Sequence, residues 1–419
     1  MLTTFFVRSS VLARMQAHPT GPHLAAFATA LHEQRYAHQT ICQHLRCVDA
    51  FGRWLQDRQV PLAAVTNHQV AQYLVQLGRR PLHSRPEGAA SHAAAVLPRF
   101  LAFLQAQGVI SPLADLLPLT PTAHWLQRFT LHLQQVRGLA PQTCRGYLRF
   151  VHRFLATTGR AETVDWSTLR ADELSEFVRR EAQHRRGGGR KGPGTALHAL
   201  VRFLVTEGEV SQGLDTAILT PREWTHAPVP LHFSREEITK LLAGMQDGTA
   251  IGLRNHAILL LLARLGLRAH EVMDLRLDDV NWREGRLHIH STKSHRVRSL
   301  PVDTEVGTAL ATYVRVGRPV SSQRHIFLHH RAPFPPVHSS STIAKIVRLA
   351  IRRAALTTQA SGAHAFRHTV ASQLVQHGVS FKTVADVLGH QSLQTTTIYA
   401  KLDLPSLATI GLPWPGGAQ

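Results

Sequence analysis

The sequence predicts a mainly α-helical chain in which two tandem helical bundles precede a mixed α+β domain with a small antiparallel sheet. Three observations support this fold class. Apolar residues recur with a period near 3.6 along most of the chain. One helical pattern in the first half occurs twice. Alternation typical of strands is confined to two short segments of the second half, RLHIH and RVRSLPV.

The repeat defines the two bundles. QTICQHLRCVDAFGRWL in the first copy resembles QTCRGYLRFVHRFL in the second. Three apolar positions recur at an offset of 103 residues: Leu45, Val48 and Phe51 match Leu148, Val151 and Phe154. Each trio lies on one helix face, and the order of the other segments is preserved. We therefore expect two compact bundles of about four helices each, over residues 1–112 and 115–215.

A third folded unit is expected over residues 231–419. The proline-containing stretch TPREWTHAPVPLHF precedes it, and we assign residues 216–230 as a linker. FSREEI follows with the spacing of a capping box, because Ser234 can cap a helix whose third residue is Glu237. This spacing predicts the first helix of a new domain.

The segment NHAILLLLARLGLRAHEVMDL predicts a buried helix followed by a short second helix. Gly266 can end the first helix, because glycine readily adopts the left-handed conformation of a C-cap. Arg268 then opens the second helix, where an anion would also meet unpaired backbone amides. Glu271 lies three residues further on the same face and can hold the Arg268 guanidinium in place.

Two strands and three helices complete the predicted domain. RLHIH and RVRSLPV flank STKSH, which makes Lys293 a hairpin-tip residue. HAFRHTVASQLVQHG predicts a helix with His364 and Arg367 near its start. SFKTVADVLGH predicts a short helix with His390 just beyond its end, and SLQTTTIYAKL predicts the helix that presents Tyr399.

Six of these residues form a set suited to cleaving a phosphodiester without a metal. Arginine forks donate paired hydrogen bonds to phosphate oxygens and stabilise the negative charge of the transition state. A tyrosine with a free pKa of about 10 becomes a nucleophile beside a base and positive charge, and a lysine can protonate the leaving oxygen. The candidate catalytic residues are Arg268, Lys293, His364, Arg367, His390 and Tyr399.

This region resembles the catalytic domain of the tyrosine recombinases, the phage-integrase class that includes the Xer proteins and lambda integrase. GLRAHE matches the family's Arg-x-x-Glu box, HAFRH its His-x-x-Arg-His box and LGH its Leu-Gly-His box. The tyrosine follows His390 by nine residues, as in the family, while Phe366 replaces the usual leucine. The resemblance implies a tyrosine-recombinase catalytic domain behind a helical, SAM-like bundle that binds the core DNA site, which is the place of the second copy.

The resemblance also implies a role for each candidate. Arg268 and Arg367 would bind the scissile phosphate. Lys293 would protonate the leaving 5′ oxygen, His364 would assist the tyrosine proton, and His390 would donate to a phosphate oxygen.

Tyr399 would form a covalent 3′-phosphotyrosine link, with Glu271 and His368 in support. Because that link stores the bond energy, no ATP, metal or other cofactor is expected. Family members act as tetramers on two DNA sites. The expected partners are therefore double-stranded DNA and further copies of this chain, and the need for a partner recombinase stays open.

Two other functions remain as alternatives: a catalytically silent DNA-binding accessory factor and a type IB topoisomerase. Retention of all six candidates favours an enzyme, and the duplicated helical half favours a recombinase. His364 and His368 have the spacing of zinc ligands on a helix, but Ala365 stands where a metalloprotease would carry its glutamate. No metal site is expected.

The strongest basic loop, RREAQHRRGGGRKGPG, lies in the second copy. Its basic residues are candidates for neutralising DNA phosphates, with a solvated linker as the alternative. They are Arg179, Arg180, Arg185, Arg186, Arg190 and Lys191. The first copy could be an additional DNA-binding module, a protein-interaction module or an extra clamp on the same duplex.

Composition agrees with a DNA partner. The 47 Lys and Arg against 27 Asp and Glu give a formal net charge of +20, which favours a polyanion. The longest apolar run, AILLLLA, is too short to cross a bilayer, and no signal-peptide core is found, so a cytoplasmic location is expected. Three cysteines are too few for a disulfide framework and suit a reducing compartment.

Overall fold

The fold is taken from a computed structural model of the chain. It describes residues 2–79, 89–111, 121–160, 165–185, 187–218, 230–290, 297–390, 392 and 395–402. The chain divides into two compact units: Met1–Ala13, Leu24–Arg46 and His226–Gln419 form one, and Arg14–His23 and Cys47–Thr225 form the other. The expected domain boundaries stay predictions, and most of the expected linker, residues 219–229, lies outside the described residues.

Helices make up the described part of the first copy. They are α1 (Leu2–Phe5), α2 (Ser9–Gln16), α3 (Gly21–Glu33), α4 (His38–Asp57), α5 (Asn67–Arg79) and α6 (Ala89–Ala106). A 3₁₀ turn, Leu62–Ala64, precedes α5.

The second copy repeats the later part of this order. Its helices are α7 (Pro121–Leu131), α8 (Pro141–Thr157), α9 (Ala171–Gln183) and α10 (Gly192–Thr206). A π-helical turn, His132–Val136, extends α7, and a 3₁₀ turn, Trp166–Thr168, precedes α9. Helices α4 and α8 begin 103 residues apart, as do α6 and α10. The predicted repeat is therefore confirmed in the helices themselves.

Matching side chains of the two copies are buried alike. In α6 these are Leu97, Phe100 and Leu101, and in α10 they are Leu200, Phe203 and Leu204. The aromatic residues Phe129, Phe154 and Phe177 join Phe203 in the core of the second copy. Each copy has kept the apolar face that packs its last helix, which is the main determinant of a helical bundle.

The described residues of the third expected unit, residues 231–419, form a helical assembly with one small sheet. Its helices are α11 (Arg235–Ala243), α12 (Ala250–Leu265), α13 (Ala269–Asp274), α14 (Thr304–Thr312), α15 (Ser340–Arg353), α16 (Gly362–Gln376) and α17 (Phe381–Leu388). Its strands are β1 (Val280–Asn281), β2 (Arg286–His290) and β3 (Val297–Pro301), paired antiparallel in the order β1-β2-β3. Shorter turns are the 3₁₀ segments Leu277–Asp279 and Thr397–Leu402 and the π-helical Tyr313–Gly317.

Helix α12 is the centre of this region. Its middle is apolar on every face and fully buried, and α12 packs against α11, α13, α14, α15 and α16. It ends where predicted, at Gly266 with φ +60°. The predicted capping box is also confirmed, since Ser234 and Glu237 bond each other's backbone amides at the start of α11. The ends of these helices set the positions of the candidate residues.

The predicted fold class is confirmed: the chain is mainly helical with a small antiparallel sheet. One local prediction differs from the structure. The segment that carries Tyr399 is a 3₁₀ helix, Thr397–Leu402. Three consecutive threonines precede the tyrosine, and β-branched residues disfavour a regular α-helix.

Candidate active site

The two candidate arginines meet at the carboxyl end of α17. Arg268 Nη2 donates to the carbonyl oxygen of Gly389 at 2.9 Å, and Arg367 Nη2 donates to that of Leu388. Carbonyls at a helix C-terminus carry partial negative charge and stabilise cations. Two neighbouring peptide groups therefore hold both guanidinium groups side by side.

Arg367 is the more restrained of the pair. It is 4% exposed, and its Nη1 donates to the carbonyl of Gly266 at 2.9 Å. Burial, followed by the charge of Arg268, lowers the pKa of Arg367 to about 10, so the side chain keeps its charge at neutral pH. A buried and a half-buried cation that repel each other are both stabilised when an anion binds between them.

Glu271 fixes Arg268 from the other side. Its carboxylate accepts hydrogen bonds from the backbone N–H of Arg268 at 2.8 Å and from Nη1 of the same residue at 2.9 Å. Burial would raise the pKa of Glu271, but the hydrogen bonds and charge of Arg298, followed by those of Arg268, lower it to about 2. Glu271 is thus an ionised carboxylate whose side chain is 1% exposed.

Arg298, on β3, is a residue of this site that the sequence analysis missed. Its Nη1 and Nη2 donate to the two carboxylate oxygens of Glu271, each at 2.9 Å. The available signal was the strand alternation, because Arg298 and Leu300 share the inner face of β3. A charged residue on the buried face of a strand requires a buried partner of opposite charge.

His390 lies just beyond α17, next to the arginines. Its Nδ1 is 2.7 Å from the hydroxyl oxygen of Thr396. Burial lowers the pKa of His390 to about 4, and the charges of Arg367 and Arg268 act in the same direction. The ring is therefore neutral at physiological pH, and one of its nitrogens can donate to a phosphate oxygen.

His368, not His364, contacts the tyrosine. The Tyr399 hydroxyl lies 2.5 Å from Nδ1 of His368, while the two histidine rings are 6.4 Å apart. The role that the resemblance implies for His364 stays a prediction, and the structure adds that the second histidine of the box, His368, lies beside the tyrosine hydroxyl. Burial, followed by the charges of His364 and Arg367, lowers the pKa of His368 to about 4.

Tyr399 is enclosed in the structure. Its ring is 1% exposed and packs in an apolar cluster with Val370, Val375, Val384 and Leu388. Burial raises the pKa of Tyr399 to about 12, although the charge of Arg367 acts in the opposite direction. The phenol is thus protonated and covered, with its hydroxyl directed at His368.

Comparisons with known proteins show the family of the chain. Residues 232–404 match the Phage integrase family, and residues 24–108 match its N-terminal SAM-like domain. The chain is 31% identical over 418 residues to y4rA of Sinorhizobium fredii, named as an integrase/recombinase, with 99% of this chain and 100% of that protein covered. The chain belongs to the phage integrase family of tyrosine recombinases.

Two further similarities extend over most of this recombinase. The tyrosine recombinase XerC of Pelobacter propionicus is 28% identical over 299 residues, covering 69% of this chain and 94% of that protein. The crystal structure of the XerH recombinase bound to palindromic difH substrate, a post-cleavage complex, is 19% identical with a TM-score of 0.52. It covers 74% of this chain and 94% of that chain, and the likeness concerns the fold.

The SAM-like match falls on the first helical copy of the recombinase. The resemblance had placed the core-binding bundle on the second copy, residues 115–215, and treated the first as the departure. Residues 24–108 belong to the same kind of domain. The recombinase thus carries a SAM-like bundle in its first helical copy, followed by the second copy, which repeats the same helical pattern.

Other candidate residues of the recombinase lie outside the site or outside the described residues. Lys293 lies in residues 291–296, and Arg186 is a single position outside the described ranges, so the structure describes neither.

Across the described ranges, no group of three or more His, Cys, Asp or Glu side chains could hold a metal ion. In the same ranges, no helix is long and apolar enough to cross a bilayer.

The basic loop of the second copy has internal partners. Arg179 pairs with Glu176 at 2.8 Å, and Arg185 pairs with Glu181 at 2.6 Å. Arg190 donates from Nε to the carbonyl of Arg185 at 3.1 Å. Several of the arginines that are predicted to contact phosphates therefore already have protein partners.

Proposed function

We propose that this recombinase cleaves and rejoins DNA strands at specific sites through a covalent 3′-phosphotyrosine intermediate, with Tyr399 as the nucleophile. The observation that carries the proposal is the pair of guanidinium groups of Arg268 and Arg367, held on adjacent carbonyls of one helix end. Donors fixed before the reaction stabilise charge as it develops and require no rearrangement in the transition state.

The scissile phosphate would bind against the two arginines. Each planar fork can donate to a non-bridging oxygen, and His390 can add a neutral donor on the same side. Its pKa of about 4 leaves His390 uncharged, so its contribution is a directed hydrogen bond and not a further positive charge. The arrangement favours an oxyanion over a neutral ligand.

The chemical step would begin with attack of the Tyr399 oxygen on phosphorus. The bond from phosphorus to the 5′ oxygen breaks, and Lys293 donates a proton to the leaving oxygen. The tyrosine proton passes to Nδ1 of His368, which is already 2.5 Å from the hydroxyl. Rejoining is the reverse attack by a 5′ hydroxyl, so the reaction needs neither ATP nor a divalent metal.

The tyrosine must leave its apolar cluster before it can attack. A phenol with a pKa of about 12 and a covered ring is a poor nucleophile. DNA binding would supply the free energy for release, because a phosphate held by Arg268 and Arg367 compensates for the lost apolar contacts. In the proposed mechanism, the enclosed tyrosine would be the state before delivery.

Double-stranded DNA is the proposed partner, and the net charge of +20 supports it. The XerH complex named above contains a DNA substrate, and the lambda integrase structure with a TM-score of 0.51 contains a core site. We propose a homotetramer on two DNA sites, with a partner recombinase as a variant of the same assembly. Relaxation of supercoiled DNA without strand exchange would indicate a type IB topoisomerase instead.

Replacement of the nucleophile tests the proposal. Tyr399→Phe should abolish the covalent adduct on a nicked suicide substrate, read on a denaturing gel, while DNA binding changes little because only the hydroxyl is lost. Tyr313→Phe is the matched control, since Tyr313 is fully buried in the same region and its hydroxyl also lies near a histidine, His330. A parallel reaction with EDTA should give the wild-type amount of adduct.

Three results would contradict the proposal. An adduct that persists in Tyr399→Phe would show that another residue is the nucleophile. Strict dependence on an added divalent ion would indicate another mechanism. A wild-type chain that binds DNA tightly but never forms an adduct would support the accessory-factor alternative.

A further inference from the structure

We propose that Arg298 is a positioning residue that offsets the charge of Glu271, so that Arg268 presents its full positive charge to the scissile phosphate. The inference rests on the proposed function, because it assumes that Arg268 binds the reacting phosphate. It assigns a task to a residue outside the six candidates.

The geometry places one carboxylate between two guanidinium groups. Glu271 accepts two hydrogen bonds from Arg268 and two from Arg298, all between 2.8 and 2.9 Å. Arg298 binds both oxygens at once, and this bidentate arrangement fixes the plane of the carboxylate. The orientation of Glu271 in turn fixes the backbone and side chain of Arg268.

Arg298 also changes the net charge around Arg268. A carboxylate in contact with Arg268 alone would cancel most of the attraction of that arginine for a phosphate at short range. With Arg298 present, the three arginines Arg268, Arg298 and Arg367 and the single carboxylate leave a net charge of plus two. Loss of Arg298 would leave plus one.

Gly389 leaves room for Arg298 in this position. A Cβ atom on Gly389 would lie 2.3 Å from Nη1 of Arg298, closer than real Cβ contacts occur. Gly389 also has φ +66° and accepts the hydrogen bond from Arg268. The glycine therefore allows Arg298 to lie against the same peptide group that holds Arg268.

Glu271 offers a way to separate charge from structure. In the single variant Arg298→Met, the carboxylate is opposed by Arg268 alone, and adduct formation should slow about 10- to 100-fold in single-turnover cleavage. In the double variant Arg298→Met with Glu271→Gln, the negative charge is removed as well, and the net charge of plus two is restored. The rate should then recover to within about fivefold of wild type.

Arg353→Met is the matched control. Arg353 forms an ion pair with Asp247 at 2.8 Å in the same region, outside the candidate site. Its loss should leave the cleavage rate unchanged within about twofold. DNA affinity and melting temperature are measured for every variant, so that a rate change at unchanged binding can be recognised.

A purely structural role for Arg298 predicts the opposite order. The double variant would then be as slow as Arg298→Met or slower, and that result would overturn the inference. If Arg298→Met does not fold, Arg298→Lys is the deciding variant, because lysine keeps the positive charge but lacks the planar fork of the guanidinium group. It should retain cleavage within about tenfold, whereas a larger loss at unchanged DNA affinity would overturn the inference. Absence of any adduct with the wild-type chain would instead refute the proposed function.

Discussion

Two buried carboxylates in this recombinase each lie between two arginines, one in the catalytic region and one in the second helical copy. Glu271 binds Arg268 and Arg298, both through hydrogen bonds of 2.9 Å. Glu181 forms ion pairs of 2.6 Å with Arg153 and Arg185. The two arrangements consist of the same residue types, one glutamate and two arginines.

The difference lies in how far the arginines are covered. Arg268 and Arg298 are 27% and 15% exposed, and Arg268 has a second partner in the carbonyl of Gly389. In the helical copy, Arg185 lies over the ring of Phe150 and is 22% exposed, much like the catalytic pair, whereas Arg153 is 53% exposed. The two groups therefore differ in one arginine, Arg153, whose charge remains solvated.

The largest effect is expected from changing one arginine of each group. Arg268→Lys removes the fork that contacts both Glu271 and Gly389, and single-turnover cleavage should fall about 100- to 1000-fold. Arg153→Lys keeps a solvated charge, and cleavage should change less than about threefold. Adduct formation on the suicide substrate measures both, and equal losses would remove the distinction between the two groups.

An intermediate effect is expected on stability. Glu271→Gln should lower the free energy of unfolding at pH 7 by about 3 kcal/mol, because the pKa falls from 4.5 to about 2 on folding. Glu181→Gln should cost about 1 kcal/mol, since Arg153 can be hydrated. Urea unfolding measures both, and a larger loss for Glu181→Gln would contradict the comparison.

The same carboxylate predicts a pH dependence. A depressed pKa contributes stability that is present above the unfolded value of 4.5 and is lost as the pH falls through about 2. The difference in stability between wild type and Glu271→Gln should therefore shrink between pH 4.5 and pH 2. A difference that stays constant over this range would show that Glu271 is not held ionised by its arginines.

The smallest effect is expected in the basic loop. Arg180→Gln should reduce the slope of log affinity against log salt by about 0.9, the value for one phosphate contact. Arg179→Gln is the matched control, because Arg179 already pairs with Glu176 and should change the slope less. Equal slopes for both variants and wild type would make this segment a spacer.

The sequence was sufficient for most helix ends and for the order of the candidate residues. Gly266 and the Ser234 capping box are local signals, readable because a few neighbouring residues determine the backbone there. Arg298 was missed because its partner, Glu271, is 27 positions away on α13, and tertiary packing of that helix near β3 brings the two together. The contact of His368 with the tyrosine depends on how the tyrosine segment packs on α16, which local spacing does not determine.

The burial of Tyr399 could not be predicted from the sequence either. The threonine-rich segment before it predicts little about tertiary packing, and the covering side chains come from α16 and α17. A tyrosine in a sequence motif has the same chemistry whether its ring is covered or presented. The burial of this tyrosine is therefore a property of the fold and not of the motif.

Leu388 takes part in two contacts that are otherwise separate. Its side chain belongs to the apolar cluster around Tyr399, and its carbonyl accepts a hydrogen bond from Arg367. Withdrawal of the phenol would uncover the side chain of the residue whose carbonyl holds Arg367. One residue therefore borders both the covered tyrosine and the buried arginine.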